Sequence, residues 1–467
     1  MAGLYVWTAN RLERLAETLA GRTRVRADDP FTPEIIVVQS RGMQRWLSLE
    51  IARINGIAAN LDFPFPDSFL QRMLALLIPE IPETPALQQE AMAFGIFAWL
   101  PRLASTRPEF GPIRTYLQHD PHGVRRLQLA EQIAYLFDQY LVYRPDMIQT
   151  WDSGRIPTDD TPAGWQAVLW TALADQRVGG HRAERWQQLR GKVAAGASRS
   201  GDLPRRVSVF GISYLPPFYL QALDALSRMM TIELYQLNPC REYWADIVSR
   251  EEGKRLQRPF RDIPGAPAEA DLHLEEGNRL LAVMGGQGRA FHRLMAQFDA
   301  VMSEDFQPVT GDSLLAALQE DILNLRHPSR EAADRPDAAR DDRSVQVHAC
   351  HSPMREIEIL YDQLLDRLNA DDDLAPWDIL VLTPDIDIYA PYIQAVFGAP
   401  EEDALRLPFS IADRSPLQSR PLVEAFFALL GLKQSRFLAS DLMGLLDLAA
   451  VRSAFDLTEE DGRLIGA

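Results

Sequence analysis

Lysine is nearly missing from this chain. Of its 48 basic residues only Lys192, Lys254 and Lys433 are lysines. High-GC codon usage accounts for such a bias, but the scarcity also tests every motif that needs a lysine. A phosphate-binding loop wraps phosphates in glycine amides, sets a lysine on the terminal phosphates and holds magnesium with Ser or Thr. The three lysines sit in RGKVA, EGKRL and LKQSR, none of which is Gly-Lys-Ser/Thr, and the first strand–helix junction, TANRLE, has no glycine. The chain is therefore expected not to hydrolyse ATP. Cysteine is almost as rare: Cys240 and Cys350 are too few for a disulfide framework and fit a reducing compartment. No stretch approaches the ~18–20 uninterrupted apolar residues of a membrane span. The opening MAGLYVWTANRLERL has neither a basic leader nor a small-residue cleavage site. No membrane partner and a cytoplasmic location are the expectations. A positive balance is absent too, since the net charge is -17. That argues against a protein that coats DNA nonspecifically, while leaving room for a local basic channel.

What is present is an alternation of strands and helices. At 467 residues, 46% hydrophobic, the chain is long enough for about three structural units. Leu4 to Trp7 reads as a strand, Thr8 or Asn10 as the cap of a helix, and Leu12, Leu15, Ala16 and Leu19 as one helical face. The run IIVVQSRGMQRWLS repeats the unit: four apolar residues from Ile35, a polar turn containing Gly42, then a helix continued by Trp46, Leu47 and Ile51. In GIAANLDFPFPDSF, Pro64 and Pro66 predict an extended aromatic segment without regular helix. Residues from about 70 to 200 are mostly helical, with Leu127, Leu129, Ile133, Leu136, Phe137 and Tyr140 as the apolar positions of one long helix. Strands return at VSVFGI (Val207 to Ile212) and IELYQL (Ile232 to Leu237), with a helix after Pro216-Pro217, whereas Ser249 to Ala270 is expected to be a charged loop. This order predicts an α/β fold with a mainly parallel sheet and a helical insertion, covering residues 1–325. Residues 326–344 are almost without apolar content and read as a linker. A second α/β domain, residues 345–467, is expected from the strands VQVHAC and DILVLT and helices near 354–368, 389–397 and 422–430. The final LTEEDGRLIGA closes no recognisable element, so a longer parent chain is expected.

Catalytic and metal constellations are weak. Glu252-Gly253-Lys254 fits the acid-x-lysine pair of one nuclease class but lies in the predicted loop. Asp385 and Asp387 follow Pro384 where capping of the next helix is the expected role. On a strand, His348 and Cys350 point to one face and His351 to the other, against a shared metal.

The runs NRLERL, VVQSRGMQRWLSLEIARINGIAANLDFPFPDSF, LFDQYLVYRPDMI, FGISYLPPFYLQAL, NPCREYWADI, CHSPMREIEILYDQLL and IQAVFG, in that order, resemble the RecC family, the gamma subunits of exodeoxyribonuclease V. The resemblance extends to about residue 460. It implies inactive superfamily 1 helicase-like domains, with no activity or cofactor in this chain itself; ATP and Mg are expected in RecB-like and RecD-like partner subunits of a heterotrimer. The family's subunit divides a duplex end, passes the 3′-ended strand through a tunnel and scans it for the recombination hotspot Chi during double-strand break repair. The alternative is a protein–protein scaffold without DNA reading of its own.

Reading single-stranded bases takes amides, carboxylates and guanidinium groups for base edges and flat apolar side chains for stacking. Gln39, Ser40, Arg41, Gln44 and Arg45 supply such groups behind a strand, with Phe65, Leu136, Asp138, Gln139, Arg144 and Arg182 as further candidates. Ordinary structural roles compete: Gln39 as a helix cap, Asp138 and Arg144 as a surface ion pair, Phe65 as core. Gln39, Leu136, Asp138, Arg144 and Arg182 match positions that the family uses for hotspot reading. Arg41 and Arg45 replace smaller uncharged residues, Phe65 an aliphatic one, Gln71 an aromatic and Tyr135 an acid. Because arginine favours guanine edges or phosphate, a different octamer and a simple grip on the strand both stay open.

Overall fold

The computed structural model describes residues 2–25, 31–78, 88–155, 162–174, 181–194, 203–257, 277–326, 339, 341–399, 406–414, 421–432, 436–458 and 460–461. The chain divides into two compact units, Met1–Ser344 and Val345–Ala467.

The first unit is built on a six-stranded parallel sheet of order β3-β2-β4-β5-β1-β6. The strands are β1 (Gly3–Ala9), β2 (Glu34–Val37), β3 (Leu61–Asp62), β4 (Arg206–Phe210), β5 (Thr231–Leu237) and β6 (Val301–Glu304). Side chains alternate between two apolar layers, as strand geometry requires. Leu4, Val6, Ile35, Val37, Val207, Val209, Ile232 and Leu234 join one core with Phe69, Leu223 and Phe291. Ile36, Val38, Phe210 and Tyr235 join the other with Leu15, Leu19, Leu47 and Ile51. The second core is covered by α1 (Leu12–Arg24) and α2 (Arg41–Asn55), the first by α3 (Pro66–Leu77), α10 (Pro217–Ser227) and α13 (Gly286–Met295). Burial on both faces is why these strands read as continuous apolar runs.

The buried charged groups Glu233, Arg206 and Glu34 of the sheet are paired, whereas Trp7 Nε1 and Thr8 Oγ1 of β1 find no partner among the described residues. Glu233 is fully buried and takes hydrogen bonds from Arg22 and from the Tyr235 hydroxyl (3.0 Å). Arg206 meets Glu34 at 2.9 Å with both side chains buried.

Between β3 and β4 lies the expected helical insertion: α4 (Gln89–Thr106), α5 (Gly111–Leu117), α6 (Val124–Tyr143), α7 (Pro145–Asp152), α8 (Pro162–Ala174) and α9 (Arg182–Ala194). Its core is separate, centred on Phe137, which meets Trp170 edge-on at 5.3 Å and Trp151 at 6.3 Å. Trp186 and Leu189 of α9 pack with Leu70 of α3 and Phe218 of α10, tying the insertion to the sheet layers.

Several expectations fail for local reasons. Neither Thr8 nor Asn10 caps α1; its cap position is Arg11, without a side-chain bond, and Asn10 is engaged elsewhere. Gly42 lies inside the first turn of α2, because Ser40 caps that helix. Pro66 does not exclude helix but begins α3, since proline is pre-organised for a first helical position whose N–H would be unpaired anyway. Of the apolar face assigned to α6, Ile133 and Phe137 are buried and Leu129 and Tyr140 pack against the core, but Leu127 and Leu136 are exposed and Ala130, Ala134 and Leu141 complete the buried face. Ser249 to Ala270 is not all loop, for Arg250–Gln257 forms α11, and α12 (Arg279–Met284) comes before α13. Glu251 and Glu252 in the first turn of α11 and Lys254 and Arg255 in its last complement the helix dipole. Glu252 pairs with Arg289 of α13 at 3.0 Å. Of the predicted linker, 327–338 lies outside the described residues, but its end is tied down. Asp342 accepts from Leu314 N–H (2.6 Å) and Ser344 from Leu315 N–H (3.1 Å), at the start of α14 (Leu314–Leu323).

The second unit departs most. Its helices form where expected, as α15 (Pro353–Ala370), α16 (Ile386–Phe397) and α17 (Pro421–Gly431), followed by α18 (Ala439–Leu446) and α19 (Ala449–Ala454). Asp385 caps α16 through Asp387 and Ile388 N–H. VQVHAC and DILVLT, however, form no strand: they enter no sheet ladder among the described residues, and Val347 is 94% and Leu382 83% exposed. The strand alternation expected for His348, Cys350 and His351 therefore does not apply.

Candidate nucleic-acid interface

Neighbouring parallel strands end at the same edge of a sheet, so the helices after them start side by side. β2 and β4 are such neighbours, with Ile35, Ile36 and Val37 opposite Val207, Ser208 and Val209. Beyond β2, Val38 is still buried and donates its N–H to Pro64 O (3.2 Å), which fastens the Phe63–Phe65 segment beside the strand end. Gln39 is the first exposed residue, and it does not cap α2. Ser40 does, its Oγ accepting from Met43 N–H at 3.1 Å. Arg41, Gln44 and Arg45 are exposed and share a face by i, i+3 and i+4 spacing, while Met43, Trp46 and Leu47 turn to the core.

Phe65 is not core. It precedes Pro66 at the start of α3 and is 42% exposed. Asp67 in the same turn accepts a hydrogen bond from the Tyr219 hydroxyl of α10 (3.3 Å), so α3 and α10 begin together. Gly211 makes the turn after β4 with φ of 66°, and a Cβ there would stand 3.2 Å from Met43 Cε of α2. Only glycine accepts both that backbone angle and that proximity without displacement. The starts of α2, α3 and α10 thus cluster at one edge, where their unpaired N–H groups favour negative charge.

The helix α6 packs against α10; Tyr143 is its last residue and Arg144 the exposed cap of α7. Burial first, then Tyr143, pushes the Tyr214 phenol up from its ordinary pKa. At ~100° per residue, Leu136, Gln139 and Tyr143 lie along one stripe of α6, whereas Asp138 is ~160° round the helix from Leu136. Leu136 is exposed; Asp138 and Gln139 are half-buried. Arg182 opens α9, just after His181, whose Nδ1 accepts from Glu184 N–H (3.2 Å) and whose Nε2 lies 2.5 Å from Asp152 Oδ2. The structure therefore brings Gln39, Arg41, Gln44, Arg45 and Phe65 to one edge, whereas Leu136, Gln139 and Arg144 belong to α6 and its end in the insertion. It does not put Asp138 on that stripe.

The end of β1, on the far side of β5 from β4, is closed. Where a phosphate loop would follow β1, Asn10 donates to Gln307 O and accepts from Gln307 N–H, both at 2.8 Å. Asp305 N–H donates to Thr8 O (2.8 Å), and the Asp305 carboxylate pairs with Arg14 at 2.9 Å. Residues 305–307 are strapped across this end by backbone and side-chain bonds. Among the described residues no three His, Cys, Asp or Glu side chains are grouped to hold a metal ion.

The model of the RecC N-terminal domain matches residues 4–325, the whole sheet and its helical insertion. The chain belongs to the RecC family. A second model, the RecBCD enzyme subunit RecC fourth domain, matches residues 419–467. Among curated proteins the chain is similar to the RecBCD enzyme subunit RecC of Escherichia coli K12, 40% identical over 99% of this chain and 44% of that protein. It is likewise similar to the RecC subunits of Haemophilus influenzae, 34% identical over 98% of this chain and 45% of the relative, and of Mycolicibacterium smegmatis, 30% identical over 98% and 41%. The chain thus spans less than half the length of these RecC relatives. No described helix is long and apolar enough to cross a membrane. Sequence reasoning missed the strap at 305–307: β6 before it has only four residues, all exposed, and lacks the apolar run that marks its neighbours.

Proposed function

We propose that this chain is the DNA-engaging, non-catalytic part of an exodeoxyribonuclease V complex, assembled with RecB-like and RecD-like subunits that supply the ATP, the Mg and the motor and nuclease chemistry. In this reading it holds the 3′-ended single strand at the edge formed by the ends of β2 and β4 and inspects it for Chi during double-strand break repair by recombination. Membership of the RecC family and the names of its relatives support the assembly. The observation that carries the DNA role is the contrast between two parts of one sheet edge. The end of β1, where a motor would hold its nucleotide, is strapped by residues 305–307, while the end of β2 and the segment beside it present the exposed Gln39, Arg41, Gln44 and Phe65. Amides and guanidinium groups on rigid helix starts suit base edges and phosphates, and exposed rings suit base faces.

Holoenzyme reconstituted with Gln39→Ala or Arg144→Ala is expected to lose hotspot-dependent attenuation of degradation while keeping ATP-driven unwinding. An unchanged hotspot response in both variants would sink the assignment. The scaffold alternative draws on the net charge of -17. It is selected if a photoreactive 3′ strand crosslinks to the partner subunits and never to this chain.

A further inference from the structure

Both units open on the same order of elements, and the first shows how that order is completed. There β1 leads into α1 and β2 into α2, and the two helices lie against each other: Asn55 Nδ2 donates to Ala20 O at 2.9 Å, and Arg24 Nε to Asn55 Oδ1 at 2.6 Å. β1 and β2 nevertheless do not pair. β4 and β5 lie between them, supplied by the chain only after the helical insertion. In the second unit α15 and α16 lie against each other likewise, with the Tyr389 hydroxyl donating to Glu356 Oε2 at 2.8 Å and the Tyr361 and Phe397 rings meeting edge-on at 5.1 Å. Ahead of these helices stand residues 345–350 and 379–383. They too do not pair with each other, and among the described residues no other strand lies beside them. Ile379 has extended backbone angles, and exposure along its segment alternates as on a strand: 79% at Leu380, 47% at Val381 and 83% at Leu382.

We propose that residues 345–350 and 379–383 are non-adjacent strands of a parallel sheet whose inner strands come from the part of the subunit that RecC relatives carry beyond the span matched here. The second unit thereby presents an intramolecular docking site for at least one apolar strand. Helices packed side by side stand ~8–10 Å apart and paired strands only ~4.8 Å, so the strands that precede two such helices have room for another between them. That is the kind of gap β4 and β5 fill in the first unit. This chain covers 44% of the Escherichia coli subunit and 45% of the Haemophilus influenzae one, and its residues 4–325 match the N-terminal domain model, so more than half of each relative lies beyond this span. Residues 419–467 do not fill the gap: they match a separate domain model and form α17 to α19 without a strand among the described residues. The occupant belongs to the same subunit. An inner parallel strand is buried on both faces and both edges, as β4 is, whereas separable subunits meet through a wetter, polar-rimmed surface.

Amide hydrogen exchange on the full-length subunit, alone and in the holoenzyme, tests this without any substitution. In the full-length subunit alone, the amides of 345–350 and 379–383 are expected to exchange at least ~100-fold more slowly than in the 467-residue chain. A photoreactive benzoylphenylalanine placed at Leu382 of the full-length subunit is expected to crosslink to a peptide of the same chain beyond residue 467. Fast exchange of both segments in the full-length subunit, equal to that in the 467-residue chain, overturns the proposal. Slowing that begins only when partner subunits are added, or a crosslink that reaches only those subunits, overturns it too and makes the segments a subunit interface. A crosslink confined to residues 1–467 does the same by pairing the segments inside this span.

Discussion

In the first unit, Ile35–Val38 and Val207–Phe210 lie side by side as strands, each flanked on both edges and covered on both faces. In the second, Val345–Cys350 and Ile379–Thr383 have the same kind of apolar, β-branched composition and each precedes a well-formed helix, yet neither enters a ladder among the described residues. Val37 is 2% exposed and Val209 2%, against 94% for Val347 and 79% for Leu380. Strand propensity describes how well a residue suits a pleated, half-buried surface; it does not supply that surface. A strand in a parallel sheet becomes a strand when its backbone groups find neighbours and its side chains find two covering layers.

The largest expected effect tests what the covered sheet demands of its polar groups. Arg206→Ala breaks the buried ion pair with Glu34 and is expected to cost about 3–5 kcal/mol of first-unit stability in denaturant titrations, whereas Arg206→Met with Glu34→Leu returns most of it. If the single and double variants unfold alike, the pair is not what those strands need. A direct contrast follows. Leu234→Ala in β5 is expected to cost about 2–5 kcal/mol, and Leu382→Ala in the second unit less than ~0.5 kcal/mol. Amide hydrogen exchange sharpens the same point: β2, β4 and β5 should protect their amides and residues 379–383 should not. Equal protection of the two regions would break the comparison. The smallest effect concerns pH. Burial first, then Glu233, pushes the Tyr235 phenol well above its ordinary value. The unfolded chain therefore releases this proton before the folded one does, so the stability it contributes is full below ~pH 10 and falls as pH rises beyond that. The first-unit transition is expected to drop more steeply above ~pH 10 in wild type than in Tyr235→Phe; parallel curves would show that Tyr235 carries no such linkage.

Much of the first unit was legible because its strands are covered twice. Runs such as IIVV, VSVF and IELYQL have no other economical reading, and the chain places all of them in the parallel sheet. The insertion was legible from its helical spacing, and so was the core face of α6 apart from Leu127 and Leu136. Leu136 looks apolar enough for a core and is exposed, because the small Ala130 and Ala134 are what the close packing around Phe137 admits. At the interface, the proximity of Gln39, Arg41 and Phe65 followed from strand ends and helix starts close in sequence.

By itself the sequence determined the local inventory: apolar runs that suit strands, proline and serine at helix starts, a first strand end with no glycine, and the ordered motifs of the RecC family. These depend on interactions between residues a few positions apart, which composition and spacing record. Only the tertiary structure decided which runs became strands, that Asn10 pins residues 305–307 over the end of β1, and that the starts of α2 and α3 and the turn after β4 share one edge. Those outcomes depend on burial and on backbone partners hundreds of positions away, a free energy that no local pattern encodes.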